Sequence, residues 1–168
     1  GPSPGLIAEE DEQKFIDSFQ QHIICNQILA KAIIPGMKQA GYGRIINIIS
    51  TSVKIPLKGL GVSNTIRGAV ANWAKTLSVE LGAFGVTVNN VLPGATMTGR
   101  LESIIQNKAD KSGNTFDAIR EEMIQEIPAG RIGEAHEVAA AVAFLASPAA
   151  GYINGINVPV DGGRTGSL

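Results

Sequence analysis

Four side chains combine a type and a spacing that could do chemistry: Ser50, Ser63, Arg67 and His22. Ser50 closes an apolar, β-branched run, Gly43-Arg44-Ile45-Ile46-Asn47-Ile48-Ile49. Such a run reads as a parallel strand covered on both faces, and open α/β sheets bind their ligands outside the carboxyl ends of strands. A hydroxyl at that place can hydrogen-bond a substrate oxygen, or it can simply cap the turn that leaves the strand. Ser63 follows thirteen residues later and Arg67 four after that, at the opening of a helix. Ser63 reads as a helix N-cap rather than a nucleophile, because no histidine adjoins it to act as base. His22 is the candidate able to titrate near neutrality, although without an identified partner it also reads as a polar residue satisfied on a partly buried helix.

The elements that must position these residues follow from periodicity. Between residues 9 and 37, Phe15, Phe19, Ile23, Leu29, Ile33 and Ile34 recur near three- and four-residue intervals, which predicts a long helix with a wide apolar face. Its acidic start, Glu9-Glu10-Asp11-Glu12, suits the positive end of a helix dipole. Residues 44–49 form the first strand. The next helix opens at Ser63 and aligns Val70, Trp73, Ala74, Leu77 and Leu81 before Gly82 and Gly85 stop it. Residues 86–92 read as a second strand ended by Pro93-Gly94. The polar, glycine-containing stretch 107–114 reads as a mobile loop. A helix over 134–145 would pack Ala139, Val142, Ala143 and Leu145 inward, and a last strand covers 155–160. This alternation specifies the α/β class, with right-handed crossovers and a parallel sheet.

Composition narrows the functions. With 168 residues, 44% of them hydrophobic, the chain fits one domain with a real core. A net charge of −1 provides no field to draw nucleic acid or an anionic membrane surface. No apolar run approaches the ~18 residues of a membrane span, and no basic segment precedes an apolar one at the start. A cytoplasmic location is the expectation. Cys25, the single cysteine, excludes an intrachain disulfide and reads as a core position.

Four motifs in order carry a family resemblance over nearly the whole chain. They are the Ser50–Ser63–Arg67 frame; Asn90-Val91-Leu92-Pro93-Gly94-Ala95-Thr96-Met97-Thr98; Ile127-Pro128-Ala129-Gly130-Arg131-Ile132-Gly133-Glu134; and Gly155-Ile156-Asn157-Val158-Pro159-Val160-Asp161-Gly162-Gly163. Together they resemble the short-chain dehydrogenase/reductase family, whose catalytic motif has Ser, then Tyr thirteen residues on, then Lys four further. The frame is intact, but Ser63 and Arg67 occupy the Tyr and Lys positions. The resemblance implies the C-terminal part of a Rossmann-type, doubly wound parallel sheet: about three parallel strands with flanking helices. Residues 1–168 would then be a single partial NAD(P)-binding domain lacking the N-terminal half with its glycine-rich phosphate turn.

The resemblance also assigns roles. Ser50 would bind the substrate oxygen, Arg67 would hold the nicotinamide ribose, and Pro93, Gly94 and Thr98 would face the nicotinamide ring and its amide. His22 aligns with the family's water-organising Asn and would replace part of the lost acid. No metal site is implied. The implied activity is NAD- or NADP-dependent reduction of a carbonyl or oxidation of an alcohol in a full-length parent, similar to 3-oxoacyl-carrier-protein reductases, on a small-molecule substrate and as a homo-oligomer. The fragment itself would bind the dinucleotide weakly or not at all. An alkyl hydroxyl is a far weaker acid than a phenol, so two alternatives stand beside this one. One is an impaired homologue retained for binding or oligomer assembly. The other is non-redox chemistry like that of the halohydrin dehalogenases, whose Ser-Tyr-Arg site shares an arginine with Arg67.

Overall fold

The computed structural model describes residues 2–166. Asp11 accepts a hydrogen bond from the Gln13 N–H (2.7 Å) and so caps α1 (Glu12–Phe19), whose first turn holds Glu12. The long helix is interrupted: a π-helical turn, Gln20–Ile24, follows α1 before the regular ladder resumes as α2 (Cys25–Ala40). The turn introduces one extra residue into the repeat and carries His22. The chain continues through β1 (Gly43–Ile48), a 3-10 turn at Thr51–Val53, α3 (Gly61–Leu81), β2 (Val86–Pro93) and the short β3 (Thr96–Met97). It ends with α4 (Gly99–Ser112), α5 (Phe116–Gln125), the short β4 (Gly133–Glu134), α6 (Ala135–Ala146) and β5 (Asn157–Val160).

The sheet has the order β1-β2-β5, and both pairings are parallel. β2 is central, with every residue from Val86 to Leu92 buried. Its alternation serves two helix layers. Val86 and Val88 pack with Ala74 and Leu81, and Leu92 packs with Val70, all on the α3 side. Val91 packs with Leu145 on the α6 side. Truncating any of these large side chains to alanine would cost about 2–5 kcal/mol, because the layers leave no slack to collapse into. An amide ladder also crosses the sheet in register. Asn47 Nδ2 donates to Asn90 Oδ1 (2.9 Å), and Asn90 Nδ2 donates to Asn157 Oδ1 (2.8 Å). Among the described residues the other edge of β1 has no strand partner.

Several expectations are corrected. The stretch 107–114 is not a loop: α4 runs through to Ser112 because Leu101, Ile105 and Ala109, four apart, are buried against Ile119 and Ile127 of the α5 region. Its polar residues are the solvent face of that helix, and Gly113 at φ 72° closes it in the left-handed region. In α6, Val138, Val142 and Leu145 pack inward, whereas Ala139 and Ala143 are exposed. Cys25 is exposed rather than core. Ile16, Phe19, Ile28, Leu29 and Ile33 of the long helix are exposed as well, so much of its apolar face is uncovered by this chain.

Candidate active site

The carboxyl ends of β1 and β2 meet the start of α3 and the π-helical turn. The Ile49 N–H still reaches Val91 O (2.9 Å), after which Ser50, extended at φ −172°, leaves the sheet. Ser50 Oγ accepts the Ser52 N–H (3.1 Å) and caps the 3-10 turn, so both readings of this residue survive: the oxygen is used locally, while its own hydroxyl proton has no acceptor among the described residues. Asn64 Nδ2 donates to Leu57 O (2.8 Å) and ties the loop after the turn to the first turn of α3. The Gly5 N–H donates to Gly59 O (2.9 Å), which lays the N-terminal segment across the same loop.

Ser63 is not the N-cap. α3 starts two residues earlier at Gly61, with Leu60 in the cap position and no side-chain cap bond. The Ser63 hydroxyl lies inside the first turn and makes no hydrogen bond among the described residues. Arg67 is one turn further along the same face, half-buried and without ion pair or hydrogen bond among the described residues. Burial, then the charge of Arg100, pull its guanidinium below the ordinary arginine value. His22, brought against α3 by the π-helical turn, has its imidazole held below the usual range by burial and then by Arg67. It is therefore the neutral form that faces Arg67, and its Nε2 is buried without a partner.

Two polar residues here gave no signal as sequence. Buried side-chain atoms are normally hydrogen-bonded. Of the four unpartnered ones among the described residues, three are His22 Nε2, Ser52 Oγ and Asn64 Oδ1, all on the elements that meet at this end, and the fourth, Arg44 Nε, is at the amino end of β1. Arg100 was missed too. Its signal was visible, a second arginine two residues after Thr98, but its proximity to Arg67 is purely tertiary.

At the end of β2, Gly94 has a reason of its own. A Cβ there would stand 2.6 Å from Asp161 Cβ, and the Gly94 N–H donates to Val160 O (3.0 Å). The chain's own packing thus fills the space that a side chain would need, and a bound ring is not required to explain the glycine. Pro93, the last residue of β2, leads into that contact. Thr98 is exposed and caps α4. Its Oγ1 accepts the Leu101 N–H (3.4 Å) and donates to Thr96 O (3.3 Å). Below it, the Gly133 N–H donates to Ala95 O (3.0 Å), and Arg131 grips Glu137 with two bonds (2.8 and 2.6 Å) that hold the carboxyl down to about 2. Neither tyrosine substitutes for a phenol at this end. Tyr42 OH donates to Ala146 O (3.0 Å) at the opposite end of the strands, and Tyr152 is fully exposed.

The chain has clear relatives. Residues 3–165 match the family model described as enoyl-(acyl carrier protein) reductase. A short-chain reductase of Streptomyces niveus, NovJ, is 39% identical over 130 residues, covering 76% of this chain and 47% of that protein. The 3-oxoacyl-[acyl-carrier-protein] reductase FabG of Haemophilus influenzae is 34% identical over 158 residues, 94% of this chain and 61% of the relative. Among solved structures, YwfH, an NADPH-dependent reductase involved in bacilysin biosynthesis, superposes with a TM-score of 0.93 at 32% identity, covering 100% of this chain and 65% of its own. The chain spans 47% and 61% of the length of these two curated relatives.

Proposed function

The chain belongs to the short-chain dehydrogenase/reductase family, and from that premise we propose that it is the substrate-facing, C-terminal part of an NAD(P)-dependent reductase of a small carbonyl compound. The observation that supports this most is the grouping of unpartnered polar groups, His22 Nε2, Ser63 Oγ and the Arg67 guanidinium, where the carboxyl end of the parallel sheet meets α3. An α/β sheet takes its ligand at that end.

The residues present fit a nicotinamide dinucleotide at one end of that molecule. Arg67 has free N–H donors for ribose hydroxyls. Among the described residues no strand-to-helix turn forms a glycine-rich cradle for a pyrophosphate, so the proposal assigns that cradle to a preceding half outside this chain. When bound, the nicotinamide supplies the hydride. The Ser50 hydroxyl donates a hydrogen bond to the substrate oxygen and keeps its proton. Arg67 stabilises negative charge that develops on that oxygen, in a setting where a fixed cation acts at less than water's dielectric. Ser63 orients rather than protonates, since an alkyl hydroxyl is too weak an acid. The substrate oxygen takes the proton it needs to become an alcohol from water, relayed by neutral His22. The exposed apolar face of α1 and α2 supports association with a second copy.

The likeness to a 3-oxoacyl reductase makes 3-oxoacyl thioesters the first substrates to try. The test takes the protein purified from its own source, measures its intact mass, and follows NADPH and NADH oxidation against 3-oxoacyl thioesters and small ketones. A mass above 17.5 kDa with turnover on at least one carbonyl is expected. A larger mass without turnover would instead favour a binding homologue, and a mass of 17.5 kDa would overturn the assignment of the cradle.

A further inference from the structure

We infer that the segment 5–10 positions the site: its contact with the first residue of α3 sets where that helix begins, and so where Ser63 and Arg67 present their groups. This placement deepens the reductase reading, on which it rests for what those groups do.

The start of α3 is not fixed by its own sequence. A helix start is ordinarily held by a capping side chain, yet Leu60 occupies the cap position with no side-chain cap bond. The hold comes from the N-terminal segment. The Gly5 N–H donates to Gly59 O (2.9 Å), and Gly5 forms an isolated parallel bridge with Leu60. Ile7 then lies on Gly61. A Cβ at Gly61 would come closer to Ile7 Cβ than any real contact permits, and would stand 2.7 Å from its Cγ1 and 3.0 Å from its backbone Cα. Gly61 does not adopt the left-handed conformation that favours glycine, unlike Gly59 at φ 77°. The close approach of another stretch of main chain is therefore the reason for it.

The segment is anchored on its other side as well. It closes in a 3-10 turn, Ile7–Glu9, with the Glu9 N–H donating to Leu6 O (2.9 Å). Glu10 pairs with Lys14 of α1, and its side chain is only 7% exposed. Gly5 folds back over that carboxylate, since a Cβ at Gly5 would overlap Glu10 Oε1. Leu6 and Ile7 themselves remain 51% and 55% exposed, so core burial does not account for the placement. One short segment thus ties α1, which leads through the π-helical turn to His22, to the first turn of α3, which carries Ser63 and, one turn on, Arg67.

The test is made in the full-length protein, with the Arg67 Nε–H and His22 ring resonances read by NMR without substrate. Gly61→Ala should shift the Arg67 resonance, because the added methyl drives Ile7 and the helix start apart, and with it the His22 resonances that feel the Arg67 charge. Adding Ile7→Gly removes both side-chain contacts and should return the resonances toward their parent positions, a coupling between the two sites that a general loss of stability does not produce. Gly36→Ala, exposed in α2 with nothing within 4 Å, should shift neither. Where the protein turns over a carbonyl, Gly61→Ala should lower kcat/KM about tenfold or more, and the double variant should recover most of it. If Gly61→Ala does not fold, Gly5→Ala carries the test: its methyl displaces the Glu10 side chain and frees the segment, and the same resonances should move. An Arg67 resonance that stays in place in the folded variant, or that moves and is not restored in the double variant, overturns the inference. Because the resonances are read without substrate, a reductase reading that fails on turnover leaves this result separately legible.

Discussion

The two ends of the sheet treat their arginines differently. At the amino end, Arg44 donates to Gly43 O (2.8 Å) and Gly85 O (3.3 Å) and lies 4.2 Å from the centre of the Tyr42 ring, whose hydroxyl is spent on Ala146 O. At the carboxyl end, Arg67 has comparable burial and no partner among the described residues, beside a histidine and a second arginine. Arg44 is tied to the fold by its Nη1 and its ring contact, with only its buried Nε left unpartnered, whereas Arg67 makes no bond at all among the described residues. Polar groups that a fold leaves unspent at the ligand-binding end of an α/β sheet are the physical mark of a site, because stability alone would pair or expel them.

The comparison can be tested most forcefully with glycines. Gly85 sits at φ 71°, and a Cβ there would lie closer to Gly41 O than any real contact permits. Gly85→Ala should therefore cost about 3 kcal/mol or more, from left-handed strain plus a backbone clash. Gly99→Ala at the open end meets nothing and should stay within about 0.5 kcal/mol of the parent. Urea denaturation of both variants measures the difference. Equal costs would remove the distinction between a closed and an open end.

A smaller effect separates the arginines themselves. Arg44→Met leaves two carbonyls with one donor fewer and removes the ring contact, so a loss of about 1–2 kcal/mol is expected. Arg67→Met removes an unpaired, partly desolvated charge and an adjacent repulsion, so stability should hold or rise slightly. A destabilisation of Arg67→Met matching that of Arg44→Met would show that Arg67 is structural after all.

Much of the fold was legible because its signals are local. The β-branched run of β1, the continuous burial of β2 and the i, i+4 spacing in α3 each follow from a single element's contacts with its neighbours. Stretch 107–114 was misread because polarity was taken for irregularity, when Ile105 and Ala109 already marked a buried stripe that continues through Ser112. The π-helical turn left no mark, since one added residue shifts a helix face without changing the residue types on it. At the site, the spacing of Ser50, Ser63 and Arg67 points to the carboxyl end of β1 and the opening of α3, and those are the elements that carry them. The displacement of Ser63 from cap to first turn, the orphan atoms of Ser52 and Asn64, and the approach of Arg100 to Arg67 all depend on packing between segments distant in sequence.

The finest test of the open end is its proton balance. His22 is half-buried beside Arg67, and both desolvation and that charge favour the neutral imidazole, so its folded value lies below the 6.5 of an ordinary histidine. Above that ordinary value both the folded and the unfolded protein hold His22 neutral, and the group does not distinguish them. As pH falls below 6.5 the unfolded chain takes up the proton first, and stability declines until the folded state also protonates. Between pH 7.5 and 5.5 the urea midpoint should therefore fall, and His22→Gln should flatten that fall. His136, the other of the two histidines, is exposed in α6 and stays unchanged in both proteins, so the difference between them isolates His22. Solvent screens a group that is only partly buried, which keeps the effect under about 1 kcal/mol. A steeper decline in the His22→Gln variant would reverse the sign and mean that the folded protein holds His22 charged. Arg67 would then lack the neutral neighbour that distinguishes the open end from the closed one.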